Sequence, residues 1–194
     1  MEIIPLTLGD YMTNCYIIRQ EASNACCIID PGYEAGRILS VLEEKQLEPT
    51  AILLTHGHFD HVGAVRDLAA ETDCDVYISA ADLSLPPMIT NGPLYHTNTY
   101  PENGSLTMAG LDIRVIPTPG HTPGSVCLMV EDTIFSGDTL FAGSCGRTDL
   151  PGGSWSSISA SLKKLAALPG DYHVFPGHGG ATTLENERKN NPYL

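Results

Sequence analysis

Thr55-His56-Gly57-His58-Phe59-Asp60-His61-Val62-Gly63 places three imidazoles and a carboxylate within six positions. The chain holds seven histidines in 194 residues, so nearly half of them stand in this one stretch. Imidazole and carboxylate are both good donors to zinc and its divalent neighbours, and a segment this dense in them is read as a metal site. Just before it, Ala51-Ile52-Leu53-Leu54 is a short unbroken apolar run, the pattern of a strand buried on both faces. Just after it, Val62, Val65, Leu68 and Ala69 recur at helical spacing. The donors are therefore predicted in the loop leaving the carboxyl end of a central strand, where open α/β sheets build their sites. A loop lets His56 and His58 face one metal while Asp60 and His61 turn toward another; a helix would pair positions i and i+4 instead.

Outward from this segment, the chain alternates strand and helix patterns. Strands are predicted at Ile3–Leu8, Cys15–Arg19 and Ala25–Asp30, followed by an Asp30-Pro31-Gly32 turn. A helix follows, carrying Ala35, Ile38, Leu39 and Leu42 on one face. After the metal loop and its helix to about residue 71, strands are predicted at Val76–Ser79, Leu111–Pro117, Ser125–Val130, Thr133–Ser136 and His173–Pro176. Ser154 reads as the N-cap of a helix bearing Ile158, Leu162, Leu165 and Ala166, and a last short helix is expected near Thr183–Lys189. Residues 84–104 are rich in Pro, Gly, Asn and Thr; they are read as a long loop serving as a lid or a strap. Strands cluster in two halves, each followed by helices, so the fold class is α/β and layered.

Three more segments end a predicted strand with a donor in a Gly/Pro-rich turn: Pro119-Gly120-His121-Thr122-Pro123-Gly124, Ser136-Gly137-Asp138-Thr139 and Pro176-Gly177-His178-Gly179. Glycine beside a donor allows close backbone approach and unusual dihedrals. His96, in the long loop, and His173, at a strand start, are read as outside the metal site. Asp30 either steadies the donor loop or simply makes a turn.

Composition is that of a globular chain, 42% hydrophobic and 17% charged, with a net charge of −13. That balance argues against nucleic acid or an anionic membrane as partner, since phosphate is neutralised by basic patches. Met1-Glu2-Ile3-Ile4-Pro5 lacks a basic segment followed by an apolar one, and no apolar run approaches spanning length; a cytoplasmic protein is expected. The six cysteines form no C-x-x-C pair and are read as small buried hydrophobes without a disulfide, Cys145 set apart by its position. Cys26 and Cys27, adjacent in a strand, should face opposite sides. A single domain over 1–194 is expected at this length.

These motifs, with Thr-Asn-Cys-Tyr at 13–16, Asp-Pro-Gly at 30–32, Thr-Pro-Gly-His-Thr-Pro-Gly-Ser at 118–125, Ser-Gly-Asp-Thr-Leu-Phe at 136–141 and Gly-Arg-Thr-Asp at 146–149, resemble the metallo-β-lactamase superfamily. Within it the chain is most similar to short bacterial glyoxalase II-like hydrolases. The resemblance implies a four-layered αββα sandwich with the metal site at one edge of the two sheets. It implies two divalent metal ions, most simply zinc, with iron or manganese as alternatives. His56, His58 and His121 would hold the first, Asp60, His61 and His178 the second, and Asp138 would bridge them. It also implies a hydrolase cleaving a small-molecule thioester such as S-D-lactoylglutathione through a metal-bound hydroxide, with Asp60 and Asp138 as its catalytic carboxylates.

Glutathione-using relatives carry a basic residue after Cys-Gly, and Cys145-Gly146-Arg147 matches. Arg147 either pairs with a glutathione carboxylate or forms an ion pair with Asp149. The tyrosines such relatives carry after the basic residue and after the last histidine are replaced here by Thr148-Asp149 and Gly179-Gly180. The chain also stops sixteen residues beyond His178, without the helical C-terminal domain of full-length glyoxalase II, so a different or smaller thioester is an alternative. The main rival is a persulfide dioxygenase, which resembles this chain at 145–149 and would hold one iron through His56, His121 and Asp138. A non-catalytic metal-binding module is the third reading; oligomeric state is left open.

Overall fold

Neighbouring side chains in the third strand enter different apolar layers, Cys26 and Ile28 on one side and Cys27 and Ile29 on the other. The central strand divides in the same way: Ile52 and Leu54 join the first layer, Ala51 and Leu53 the second. Successive residues of a strand point to opposite faces, so an unbroken apolar run requires cover on both. The computed structural model describes residues 1–101 and 104–194.

The first sheet runs β1 (Glu2–Leu8), β2 (Thr13–Arg19), β3 (Ala25–Ile29), β4 (Glu48–Leu53), β5 (Asp75–Ile78) and β6 (Asn98–Thr99), in that spatial order. Its first two pairings are antiparallel, and β3 through β6 are parallel. The second sheet is built from β7 (Ser105–Met108), β8 (Leu111–Pro117), β9 (Val126–Val130), β10 (Thr133–Gly137), β13 (His173–Pro176) and β14 (Thr182–Thr183), in the order β14-β13-β10-β9-β8-β7. Within it only β10 and β13 are parallel. A separate small ribbon pairs β11 (Leu140–Phe141) with β12 (Ser144–Cys145).

Helices α1 (Ala35–Glu44) and α3 (Val65–Thr72) cover the outer face of the first sheet through Ile38, Leu42, Val65 and Leu68. Helices α5 (Trp155–Ala166) and α6 (Leu184–Asn190) cover the second through Ile158, Leu162, Leu165 and Leu184. Between the sheets lies a third apolar layer containing Tyr16, Leu53, Val115, Leu128 and Phe135. Three apolar layers make four structural ones, the αββα sandwich expected from the sequence. Ser154 caps α5 by accepting the Ser157 amide at 3.3 Å, and Thr183 caps α6 from Asn186 at 3.2 Å.

Two expectations need correction. The donors after β4 do not all lie in a loop: Asp60 and His61 belong to a single helical turn, α2 (Phe59–Val62), separated from α3 by Gly63 and Ala64. The break has a packing cause. A Cβ at Gly63 would lie 2.2 Å from the Gly32 carbonyl, and the Ala64 amide donates to Pro31. The 84–104 stretch is not a structureless loop either. It contains α4 (Pro87–Thr90) and β6, and it runs as a strap along β5 through Asn98 opposite Tyr77 and the Tyr100 hydroxyl on the Leu54 carbonyl, 3.0 Å. Residues 102 and 103 of that stretch lie outside the described residues. No helix among the described residues is long and apolar enough to cross a membrane.

Because β3 lies parallel to β4 and β10 parallel to β13, their carboxyl ends bring Asp30, His56, Asp138 and His178 to one edge of the sandwich.

Candidate metal centre

Two groups of donors converge at that edge. The nearest donor atoms of His56, His58 and His121 lie within 4.8 Å of one another, and so do those of Asp60, His61 and His178. His58 Nδ1 is 2.8 Å from His121 Nε2. His178 Nε2 is 3.3 Å from both Asp60 Oδ2 and His61 Nε2. Asp138 spans the groups: its Oδ2 is 3.4 Å from His121 Nε2 and 3.6 Å from His178 Nε2, and its Oδ1 is 3.4 Å from His61 Nε2. All seven residues singled out in the sequence are thus brought together, while His96 and His173 are exposed and belong to neither group.

Three buried polar atoms here, His56 Nε2, His58 Nε2 and Asp138 Oδ1, have no hydrogen-bond partner. Buried polar atoms almost always find one, and an unsatisfied one costs about 1–3 kcal/mol. Such atoms gathered at one point, on side chains that are all good donors to divalent cations, fit a bound metal. Imidazole and carboxylate suit zinc, iron and manganese alike.

Outer partners set which nitrogen each ring presents. The Arg147 carbonyl can only accept, so His121 Nδ1 donates to it at 2.8 Å and leaves Nε2 facing the centre. His178 Nδ1 donates likewise to the Tyr11 carbonyl, 3.1 Å. Asp30 is buried and settles two rings at once. It accepts the Thr55 amide at 2.7 Å, the Thr55 hydroxyl at 2.5 Å and His61 Nδ1 at 3.0 Å. With its proton given to Asp30, the Thr55 oxygen accepts from His56 Nδ1 at 3.1 Å. Although Asp30 lies near His56 and His61, its oxygens are taken by these donors, so its role is to orient them.

Several contributors have no site role assigned from the sequence: Asp82 lies outside every motif, and the Thr-Asn-Cys-Tyr segment stands only as a motif. Asp82, fully buried in a short 3-10 stretch after β5, accepts the Gly57 amide at 2.8 Å, the Thr122 hydroxyl at 2.9 Å and the Gly124 amide at 2.6 Å. Gly57 lies between His56 and His58, and Thr122 follows His121, so one carboxylate joins both loops of the first donor group. The available signal was its place, four residues past the end of β5 at the same sheet edge. Asn14 Nδ2 donates to Pro176 and Gly179 carbonyls at 3.0 and 2.9 Å, and the Tyr16 hydroxyl to Pro176 at 2.6 Å. The Thr-Asn-Cys-Tyr segment therefore clamps the His178 loop, and Thr13 adds a 3.3 Å bond to Asp60 Oδ2. Two glycines permit close backbone contact. A Cβ at Gly32 would meet the Asp60 carbonyl at 1.7 Å, and one at Gly146 the Asp138 carbonyl at 1.8 Å.

The two groups differ in charge. Burial, then the neighbouring imidazoles, push His56 well below its usual value and His58 down to about 4. Burial opposes charge on His61 too, but Asp138 and Asp30 outweigh it and raise the ring to about 9. For His178, burial is outweighed by the Asp60 hydrogen bond and Asp138, and its value rises. Burial would raise Asp60, yet the His178 bond and the His61 charge hold it well below the carboxylate range. His56 and His58 are thereby kept as neutral donors, whereas His61 and His178 are shifted toward the protonated form, whose protons a cation would displace.

A cavity of about 570 Å³ opens onto the cluster, walled by Tyr11, Phe59, Ile89, Phe141 and Leu150. Arg147 and Cys145 also line it. Of the two roles read for Arg147, the structure realises the ion pair: Nε and Nη2 donate to the two Asp149 oxygens, each at 2.7 Å. Cys145 is partly buried against the outer layer of the second sheet, and burial pushes its thiol up. A separate depression of about 480 Å³ between Tyr100, Arg114 and Lys164 includes none of the seven clustered residues.

Residues 8–178 match the family described as the Metallo-beta-lactamase superfamily. Among similar proteins is the hydroxyacylglutathione hydrolase GloC of Haemophilus influenzae, 35% identical over 209 residues covering 100% of this chain and 97% of that protein. The crystal structure of BLEG-1 B3 metallo-beta-lactamase superposes with a TM-score of 0.90 at 36% identity, covering 100% of this chain and 99% of the other. The structure of TTHA1623 in a di-iron-bound form gives 0.87 at 40% identity, covering 98% and 100%.

Proposed function

The chain belongs to the metallo-beta-lactamase superfamily and is a metallo-hydrolase of it; on that premise we propose that it hydrolyses acyl thioesters. His56, His58 and His121 would hold one divalent cation and Asp60, His61 and His178 a second, with Asp138 placed to serve both. The observation that carries this reading is the Asp138 carboxylate, whose two oxygens lie 3.4–3.6 Å from nitrogens of both groups. When bound, such a cation pair polarises a carbonyl, acidifies a water and offers a partner to a departing thiolate. The chain's own contribution is positioning. Asp30, Thr55, Asp82 and the Arg147 and Tyr11 carbonyls hold the donors in register before substrate arrives. Asp60, whose Oδ2 accepts from the Thr13 hydroxyl, would orient or deprotonate the attacking water if only one metal were loaded. Tyr11, Phe59, Ile89, Phe141 and Leu150 pack the acyl group and exclude bulk water.

The thioester substrate is supported by the likeness to a hydroxyacylglutathione hydrolase and by the Cys145-Gly146-Arg147 segment on the cavity wall. Zinc is the simplest filling; the di-iron form of TTHA1623 makes iron the alternative. A single iron held by His56, His121 and Asp138 uses three of the seven converging residues and leaves His58, Asp60, His61 and His178 without a role. A storage module would not need a cavity of this size above its donors. The test is loss of thioester absorbance with S-D-lactoylglutathione and simpler acyl thioesters, using protein stripped of metal and reloaded with zinc. Saturable, metal-dependent hydrolysis supports the reading. Oxygen uptake with glutathione persulfide by the iron form, without hydrolysis, replaces it.

A further inference from the structure

We propose that Glu187 and Asn191 are positioning residues for this site: from α6 and its end they fix the β11–β12 ribbon, and so set which acyl groups the cavity holds. The acyl part rests on the thioester reading above. The ribbon supplies Phe141, Ser144 and Cys145 to the cavity lining, and Arg147 follows two residues after it. It also reaches both donor groups. The Phe141 ring stands edge-on to His178 with centroids 6.3 Å apart, and the Arg147 carbonyl, just beyond Cys145, receives His121 Nδ1.

A hairpin of two-residue strands does not hold itself. Its start is seated in the core: Leu140 is buried, and its carbonyl accepts the Ser136 hydroxyl at 2.7 Å. Over residues 141–145, the hydrogen bonds to groups outside the ribbon, among the described residues, all go to Glu187 or Asn191. The turn amide of Gly143 donates to Glu187 Oε2 at 2.8 Å. Asn191 Nδ2 lies 2.8 Å from the same oxygen, 3.0 Å from the Ser144 carbonyl and 3.3 Å from that of Phe141. Asn191 Oδ1 accepts the Tyr193 amide at 3.0 Å, which turns the side-chain nitrogen toward the ribbon. Glu187 is buried, and its other oxygen accepts the Thr182 hydroxyl at 2.7 Å and Asn186 Nδ2 at 3.0 Å. Burial would raise its carboxyl, yet the Thr182, Gly143, Asn191 and Asn186 bonds outweigh it and hold the value below the usual one. The grip is thus charge-assisted. Its base is fixed as well: Leu184 packs in the outer apolar layer, and Arg188 donates to the Ala166, Leu168 and Gly170 carbonyls. Neither Glu187 nor Asn191 lines the cavity, so both act through the ribbon.

Cys145 makes the ribbon's position measurable. It is partly exposed, whereas the other five cysteines are buried. A thiol reagent on the metal-free protein therefore reads local opening of the ribbon at Cys145 and global unfolding at the rest. The test compares wild type with Asn191→Ala, Glu187→Ala and Glu187→Gln. Both alanine variants should speed Cys145 labelling about tenfold while the other five thiols stay protected. In zinc-loaded protein they should raise KM for S-D-lactoylglutathione about tenfold and change kcat less than about threefold, the mark of lost substrate binding rather than lost chemistry. The penalty should shrink for the bulkier S-D-mandeloylglutathione, whose ring fills the loosened cavity. Glu187→Gln can keep an oxygen toward Gly143 and Asn191 while donating to Thr182, and should restore most of the labelling protection and of KM. Unchanged Cys145 labelling in both alanine variants overturns the inference and leaves thioester hydrolysis standing. So does exposure of all six thiols together with an equal loss of kcat on both thioesters, which would make the pair merely structural. Failure of zinc-loaded wild type to cleave either thioester overturns the thioester reading and the acyl part, and Cys145 labelling then decides the clamp by itself.

Discussion

His58 Nδ1 lies 2.8 Å from His121 Nε2 on two buried rings. Two nitrogen lone pairs repel at that separation unless a proton or a cation lies between them. His121 cannot turn aside, because its other nitrogen is given to the Arg147 carbonyl. Without metal the His58 Nδ1 proton is donated to His121 Nε2, and a bound cation would take both lone pairs in place of that proton. Binding to the folded state alone adds RT ln(1 + [L]/Kd), about 4 kcal/mol at a thousandfold excess over Kd. For a chain of this length that is a rise of about 10 °C in Tm. Melting curves with zinc and with a chelator check it; identical curves would contradict a resident metal.

The metal-free protein should be most stable near neutrality, because its two histidine groups titrate on opposite sides. His58, lowered from 6.5 to about 4 by burial and His121, contributes stability present above 6.5 and lost as pH falls through about 4. His61 is raised from 6.5 to about 9, its burial overcome by Asp138 and Asp30. Its contribution is present below 6.5 and is lost as pH rises through about 9. Tm against pH for the stripped protein should thus fall on both limbs. Metal displaces the His61 proton, so uptake at pH 7 should release acid, visible as heats that depend on the buffer.

Asp82 holds Gly57, Thr122 and Gly124 together from a fully buried position. An Asp82→Asn side chain keeps the shape but turns one acceptor into a donor facing an amide N–H. Metal affinity at the His56, His58 and His121 group should fall about 10–100-fold. Asp60, His61 and His178 should be affected less. A cobalt titration followed by its visible spectrum separates the two.

Tyr16 closes the opposite side. Its hydroxyl, between the sheets, donates to Pro176 at 2.6 Å, two residues before His178. Tyr16→Phe leaves that carbonyl one donor poorer and should cost about 1–2 kcal/mol in urea unfolding. The Asn14 bonds to Pro176 and Gly179 remain, so the fold should survive. A cost near zero would mean that the clamp is Asn14's alone.

Much of this was legible from residues in order. Ile52 and Leu53 read as a doubly buried strand because both faces are covered, and His121, Asp138 and His178 stood out because each ends a strand beside glycine. What escaped was short or solitary. Strands β6, β11, β12 and β14 are two residues each, below any periodicity. The 84–104 stretch is polar because it runs over the surface, yet Asn98 and Tyr100 tie it to β5 and Leu54. Asp82 is one carboxylate in an unremarkable segment; its importance comes from amides 25 to 42 residues away. Asp30, ambiguous between a turn and a support, is resolved by Thr55 and His61, which only the fold brings to it.

The bridging role proposed for Asp138 is the centre of the account, and its replacement tests it most directly. In zinc-reloaded protein, Asp138→Asn should bind less than two metals per chain and lose about a hundredfold or more in kcat for thioester hydrolysis, the scale of losing a transition-state electrostatic partner. Its metal-free fold should survive, with a Tm lowered at neutral pH because the His61 charge loses its Asp138 partner. Full turnover and two bound metals in Asp138→Asn would contradict the account.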